Sequence, residues 1–148
     1  MKNRFHIDWV LQNELAVGPA PREEIDLNYL QKKGITSILC LCSEDEANSP
    51  KNINKYFNFT RFVLPDHKQK EPPTLNDLKK SLDILSRLKQ EGPVLVHCVA
   101  SAERSPLVCM AWLVKKHKLS PQQSLDYLME VHRGTNPLPN QFGLLNNL

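Results

Sequence analysis

Segments of helical and of strand character alternate along this chain. That alternation predicts an α/β fold with a central, mostly parallel twisted sheet flanked by helices. Two further observations support it. The run "PVLVH" is short and apolar, as a strand covered on both faces must be. The segment "SPLVCMAWLVKKHK" has helical length and is apolar on nearly all sides, so it belongs at the centre of the fold. The 148 residues are expected to make one domain, 1–148. A domain of this size buries roughly two-thirds of its unfolded surface, so it can fold without disulfides or a structural metal.

The elements follow in order. "WVLQNELAVGPAP" reads as two short strands joined by a turn and closed by Gly18-Pro19. "REEIDLNYLQKKG" is a helix with Gly34 just past its end, where a left-handed residue is wanted. "ITSILCLC" is an apolar, β-rich run of strand length. "SEDEANSPKN" is polar and turn-rich, hence a loop. "FNFTRFVLP" is another strand, stopped by Pro65, and "DHKQKEPP" a second loop. In "TLNDLKKSLDILSRLKQEG", Leu75, Leu78, Leu82, Leu85 and Leu88 recur at spacings of three and four. That is one apolar helix face, with Thr74 as cap and Gly92 as stop. After "PVLVHC" and the central helix comes "SPQQSLDYLMEVHRG", where Ser120, Pro121 and Gln123 make an N-terminal capping box and Gly134 ends the helix. "NPLPNQFGLLNNL" closes the chain as a turn and a short helix.

Composition excludes several functions. Net charge is +3, which mildly favours anionic ligands but does not argue for nucleic acid. No Lys/Arg run with interleaved aromatics is present. The first residues, "MKNRFHIDWVLQNELAVG", lack the apolar core of a signal peptide, and no stretch approaches 18 apolar residues. A cytoplasmic location with reduced thiols, no membrane and no nucleic-acid partner is therefore expected. Cys40, Cys42, Cys98 and Cys109 form no CxxC, and no histidine pair has zinc-ligand spacing, so no metal is expected.

The chemistry concentrates in "VLVHCVASAERSP". A loop from the carboxyl end of a central strand to a helix N-terminus is an anion site, because its amides are unpaired and the helix dipole is positive there. Cys98 opens this loop and Arg104 closes it. The same field that binds phosphate lowers a cysteine pKa, to about 3.5–7.5 in favourable sites. Arginine adds a planar fork that matches two phosphate oxygens. Ser105 can donate its hydroxyl to the thiolate when that thiolate is a leaving group. A lone cysteine is more often a small buried hydrophobe; Arg104, Ser105 and the strand-loop-helix setting are what lift Cys98 above that.

The motif H-C-x5-R-S, here "HCVASAERS", resembles the signature of cysteine-dependent protein tyrosine and dual-specificity phosphatases. Asp66, 32 residues before Cys98 and just after a predicted strand, matches the place of that family's general acid. From "DWVLQNELAVGPAP" to the final helices the chain is similar to a small atypical dual-specificity phosphatase. The resemblance implies a protein tyrosine phosphatase-like fold and hydrolysis of phosphotyrosine, with phosphoserine and phosphothreonine as further candidate substrates. It implies that Cys98 is the nucleophile and that Arg104 binds phosphate. Asp66 would protonate the leaving oxygen, and Ser105 would stabilise the departing thiolate. The amides of Val99, Ala100, Ser101, Ala102, Glu103 and Arg104 would cradle the oxygens, with His97 supporting the loop. No cofactor is implied. The partner is a phosphorylated protein or small phosphomonoester, and the enzyme is expected to act as a monomer.

Two residues depart from the family pattern. Ser101 stands three positions after the cysteine, where the family usually has glycine. Glu103 sets a carboxylate beside the anion site. Both motivate an alternative, a phosphate-binding pseudophosphatase with negligible turnover. Sulfur transfer by a rhodanese-like loop is a third option, which the Arg-Ser ending and Asp66 disfavour. Cys40 and Cys42 lie on one strand and are expected to face opposite sides of the sheet as packing residues. Cys42 resembles the redox partner of the nucleophile in the phosphatases of regenerating liver, so a Cys42–Cys98 disulfide under oxidation is a candidate. Cys109, His6, His117 and His132 read as ordinary core, surface or helix residues. Arg133, Asn136, Asn140 and Gln141 could line a wall of the pocket, and Lys68 and Lys70 flank Asp66.

Overall fold

The computed structural model describes residues 5–65 and 71–148. Its elements are β1 (Asp8–Leu11), β2 (Leu15–Gly18), α1 (Glu24–Lys32), β3 (Ser37–Cys40), α2 (Ile53–Tyr56), β4 (Asn58–Arg61), α3 (Leu75–Lys89), β5 (Val94–His97), α4 (Arg104–His117), α5 (Pro121–Val131) and α6 (Pro139–Phe142), followed by a 3₁₀ turn at Gly143–Asn147. The sheet has the order β1-β2-β5-β3-β4. β1 pairs antiparallel to β2, while β2–β5, β3–β5 and β3–β4 are parallel. The apolar run "PVLVH" is thus the middle strand of a mostly parallel sheet, as its composition predicts.

Strand alternation divides the core. Val94, Val96 and Cys98 project to the face packed by α3, α4 and α5, together with Leu39 and Leu41 of the β3 segment. Leu95 and Ile38 project to the other face, against Leu27 and Leu30 of α1. Cys40 and Cys42 share that second face, packed with Ala20 and Ala47. Residues i and i+2 of a strand point the same way, so the expectation that these two cysteines face opposite sides is corrected here.

The caps fall where the sequence puts them. Thr74 Oγ1 accepts from Asp77 N, and the Asp77 carboxylate accepts from Thr74 N. Ser120 and Gln123 exchange the same pair of bonds at the start of α5. Gly34 sits just past α1 at φ +89°. The one-turn α2 carries no sequence signal of its own; it closes the loop before β4 and buries Ile53. No helix of the described residues is long and apolar enough to cross a membrane.

Candidate active site

Cys98 follows the last residue of β5, and Arg104 is the first residue of α4. The connecting loop, residues 98–103, therefore lies at the carboxyl end of the central strand and at the positive end of a 14-residue helix. Cys98 is buried, and its Sγ lies 3.2 Å from Ser105 Oγ.

The loop's carbonyls are tied to residues around it. Cys98 O accepts from His97 Nδ1 at 2.9 Å and Val99 O from Ala20 N at 3.2 Å. Ser101 O accepts from His132 Nε2 at 2.6 Å and Ala102 O from Asn136 N at 2.7 Å. In a planar trans peptide the C=O of one residue and the N–H of the next point in opposite directions. With the carbonyls drawn outward, the amides of Val99, Ala100, Ala102 and Glu103 point the other way, into the loop. Asn136 thus helps hold this loop through its backbone, from the segment the sequence set against the pocket.

Arg104 is buried, 4% exposed. Its Nη1 donates to Leu64 O at 3.0 Å, to Leu41 O at 3.4 Å and to Glu46 Oε2 at 3.2 Å; Nη2 donates to Glu46 Oε1 at 2.8 Å. Burial pushes the Glu46 carboxyl up. The bond from Arg104 and those from the Ser43 amide and hydroxyl outweigh this, and the net shift is below the usual carboxylate range. Glu46 has no counterpart among the residues the sequence singles out.

Ser101 adopts φ +65°, the left-handed conformation that glycine takes without penalty and that costs another residue roughly 1–2 kcal/mol. It is 2% exposed, and its hydroxyl lies 3.1 Å from Ser105 Oγ and 3.1 Å from His132 Nε2. His132 Nδ1 in turn lies 2.6 Å from Asp8 Oδ2. His132 is therefore no ordinary helix residue, contrary to the sequence expectation. It is buried against the loop at the end of α5 and joins it to β1. Glu103 precedes α4 and is half-buried. Asp66, Lys68 and Lys70 lie outside the described residues; Leu64, two positions before Asp66, is held at the site by Arg104.

On the opposite face, Cys40 Sγ and Cys42 Sγ are 3.7 Å apart, and a ring nitrogen of His97 lies within 4.8 Å of both. Cys42 lies beside Cys40, in a cluster against which Val99 of the loop packs. The hydrogen bond from Cys42, opposed by burial and aided by the Cys42 backbone and Arg61, lowers the Cys40 pKa to about 7. The same bond, with burial, pushes the Cys42 thiol far up. Burial pushes up the Cys109 thiol as well. Two sulfurs and an imidazole are metal-ligand types, but Arg61 Nη1 lies 3.4 Å from Cys40 Sγ and donates to Cys42 O at 2.6 Å. A cation at this cluster would meet that fixed positive charge.

Comparison with known proteins agrees with this geometry. The dual specificity phosphatase catalytic domain family matches residues 17–148. Dual specificity protein phosphatase PHS1 of Arabidopsis thaliana is 29% identical over 120 residues, 80% of this chain and 13% of that protein. The Homo sapiens phosphatidylglycerophosphatase and protein-tyrosine phosphatase 1 is 23% identical over 148 residues, 96% of this chain and 74% of that protein. The crystal structure of human tyrosine phosphatase-like serine/threonine/tyrosine-interacting protein superposes with a TM-score of 0.81 at 24% identity, covering 95% of this chain and 93% of that one. The match runs from β2 to the last residue and takes in the whole loop from Cys98 to Arg104, so this chain belongs to the dual specificity phosphatase catalytic domain family.

Proposed function

We propose that the chain is a cysteine-dependent phosphatase that hydrolyses phosphotyrosine, and also phosphoserine and phosphothreonine monoesters, through a cysteinyl-phosphate. The observation that carries this is the loop itself. Cys98 and Arg104 bracket inward-pointing amides at a helix N-terminus, with the Ser105 hydroxyl on the sulfur. The Cys98 thiolate attacks phosphorus in line, and the bond to the leaving oxygen breaks. Arg104 and the loop amides hold the equatorial oxygens as their charge builds. Asp66 gives its proton to the leaving oxygen, then takes one from the water that attacks the cysteinyl-phosphate. The P–S electron pair returns to sulfur, where Ser105 donates a hydrogen bond.

The test is hydrolysis of p-nitrophenyl phosphate from pH 5 to 8 in EDTA, by wild type and by Cys98→Ser. A rate that survives EDTA and vanishes in the variant supports this function. No rate above the variant favours a phosphate-binding pseudophosphatase. A relative matched over 96% of the chain is named for phosphatidylglycerophosphate as well as for protein tyrosine, so a phosphotyrosyl peptide and phosphatidylglycerophosphate should be run side by side.

A further inference from the structure

We propose that Asp8, His132 and Ser101 form a directional hydrogen-bonded chain that orients the Ser105 hydroxyl onto Cys98 and so speeds hydrolysis of the cysteinyl-phosphate. This rests on the phosphatase function proposed above and adds three positioning residues to it.

The direction follows from which atoms can donate. His132 Nδ1 faces a carboxylate oxygen of Asp8 at 2.6 Å, and His132 Nε2 faces the carbonyl oxygen of Ser101 at 2.6 Å. A carbonyl only accepts, so His132 Nε2 carries a hydrogen and donates it to Ser101 O, while Nδ1 is paired with the Asp8 carboxylate. Asp8 is shared: its other oxygen, Oδ1, lies 2.9 Å from His6 Nε2. The Nε2–H of His132 also reaches Ser101 Oγ at 3.1 Å. Ser101 Oγ is then an acceptor on that side, and its own hydrogen is directed to Ser105 Oγ at 3.1 Å. Ser105 Oγ accepts in turn, and its hydrogen is directed to Cys98 Sγ at 3.2 Å. Every donor in the series points toward the sulfur, and the His132–Asp8 pair stands at its origin.

Such a chain matters most in the second half of the reaction. As water attacks phosphorus and the P–S bond breaks, the electron pair collects on Sγ. A hydroxyl already oriented and polarised toward that atom stabilises the charge without reorganising. No proton has to leave His132; the proton of the attacking water goes to Asp66. Glu46 and Arg104 are engaged with each other and do not enter the series. The same chain accounts for Ser101. Its left-handed backbone brings both its carbonyl and its hydroxyl to one histidine nitrogen, and glycine could supply only the carbonyl.

The experiment is rapid-quench kinetics with ³²P-labelled phosphotyrosyl peptide on wild type, Ser101→Gly, Ser101→Ala and His132→Gln, with thermal unfolding of each. Ser101→Gly is the central variant, because it removes the hydroxymethyl group at a φ of +65° that glycine takes freely, and Ser101→Ala removes the hydroxyl alone. The expected result is a cysteinyl-phosphate that accumulates in all three variants, with kcat down about tenfold or more and kcat/KM, which reports the phosphorylation step, within about threefold of wild type. Ser101→Gly activity equal to or above wild type overturns the proposal, since the serine would then only strain the loop. An equal fall in kcat and kcat/KM overturns it too, since the chain would then merely hold the loop's shape. Wild type that forms no phosphoenzyme at all overturns the phosphatase function first, and the chain with it.

Discussion

Glu46 holds Arg104 at two points: Oε1 at 2.8 Å from Nη2 and Oε2 at 3.2 Å from Nη1. This pair spans 58 residues and joins the loop after β3 to the first residue of α4. Its effects on a phosphate ligand oppose each other. The carboxylate offsets part of the charge that attracts the dianion, yet it also fixes the plane of the guanidinium. Geometry should dominate: charge attraction survives small displacements, but bidentate binding of two oxygens does not, and a shift of about 1 Å can cost about 10²-fold. Glu46→Ala is therefore expected to lower kcat/KM for phosphotyrosyl peptide by about 10- to 100-fold while the inhibition constant of inorganic phosphate changes by only a few-fold. Unchanged kcat/KM would show that Arg104 is positioned without help from Glu46.

The same pair sets an acid limit on stability. The Glu46 pKa in the folded protein lies below its ordinary value of 4.5, so the unfolded chain binds the proton more readily. The stabilisation is complete above about pH 4.5 and is lost as pH falls through the lower, folded value. Urea midpoints taken from pH 6 to pH 3 should fall less steeply in Glu46→Gln than in wild type. The two curves should converge at the acid end. Parallel curves would mean that the carboxylate gains nothing from Arg104.

A second pH dependence comes from the thiols behind the loop. Cys40 titrates at about 7 in the folded protein against 9.0 ordinarily, because Cys42 donates to its sulfur and Arg61 lies nearby. Between pH 7 and 9 the unfolded chain binds more protons at Cys40, so stability rises across that window. Above 9 the sign reverses: Cys42 and Cys109 keep their protons in the fold and lose them when unfolded. Wild type should therefore reach a maximum of denaturant stability near pH 9. Cys40→Ala is less stable throughout for packing reasons, so the slope is the quantity to compare. It should show no rise between pH 7 and 9.

The sheet, its parallel pairing and its middle strand were legible because they rest on local patterns: the apolar run Val94–Val96, the leucine spacing of α3, and the caps at Thr74 and Ser120. The loop was legible because Cys98, Arg104 and Ser105 are close in sequence. What stayed hidden is held by distant partners. His132 and Asp8 are 124 residues apart, and nothing near either position marks the contact. Glu46 sits in a polar loop that reads as solvated. Ser101 was visible as a departure from glycine, but its strain alone gave no sign that its hydroxyl lies between Ser105 and His132. The common face of Cys40 and Cys42 does follow from strand alternation.

Asp66 carries the prediction that discriminates best among leaving groups. Arg104 Nη1 bonds Leu64 O at 3.0 Å, and Leu64 lies two positions before Asp66 in the sequence. A general acid matters in proportion to the basicity of the oxygen it protonates. Tyrosine, with a pKa of about 10, needs the proton as the P–O bond breaks, whereas the more acidic phenol of an activated aryl phosphate departs as an anion. Asp66→Asn should therefore slow phosphotyrosine turnover by about 10²–10⁴, slow p-nitrophenyl phosphate much less, and flatten the acid-to-neutral shape of the pH–rate profile. The ratio of the two slowing factors is the measurement, because a loop that had merely lost its shape would depress both substrates alike. If phosphotyrosine turnover were unchanged in Asp66→Asn, the proton would have to come from another group, and the assignment of Asp66 would fall while that of Cys98 and Arg104 stood.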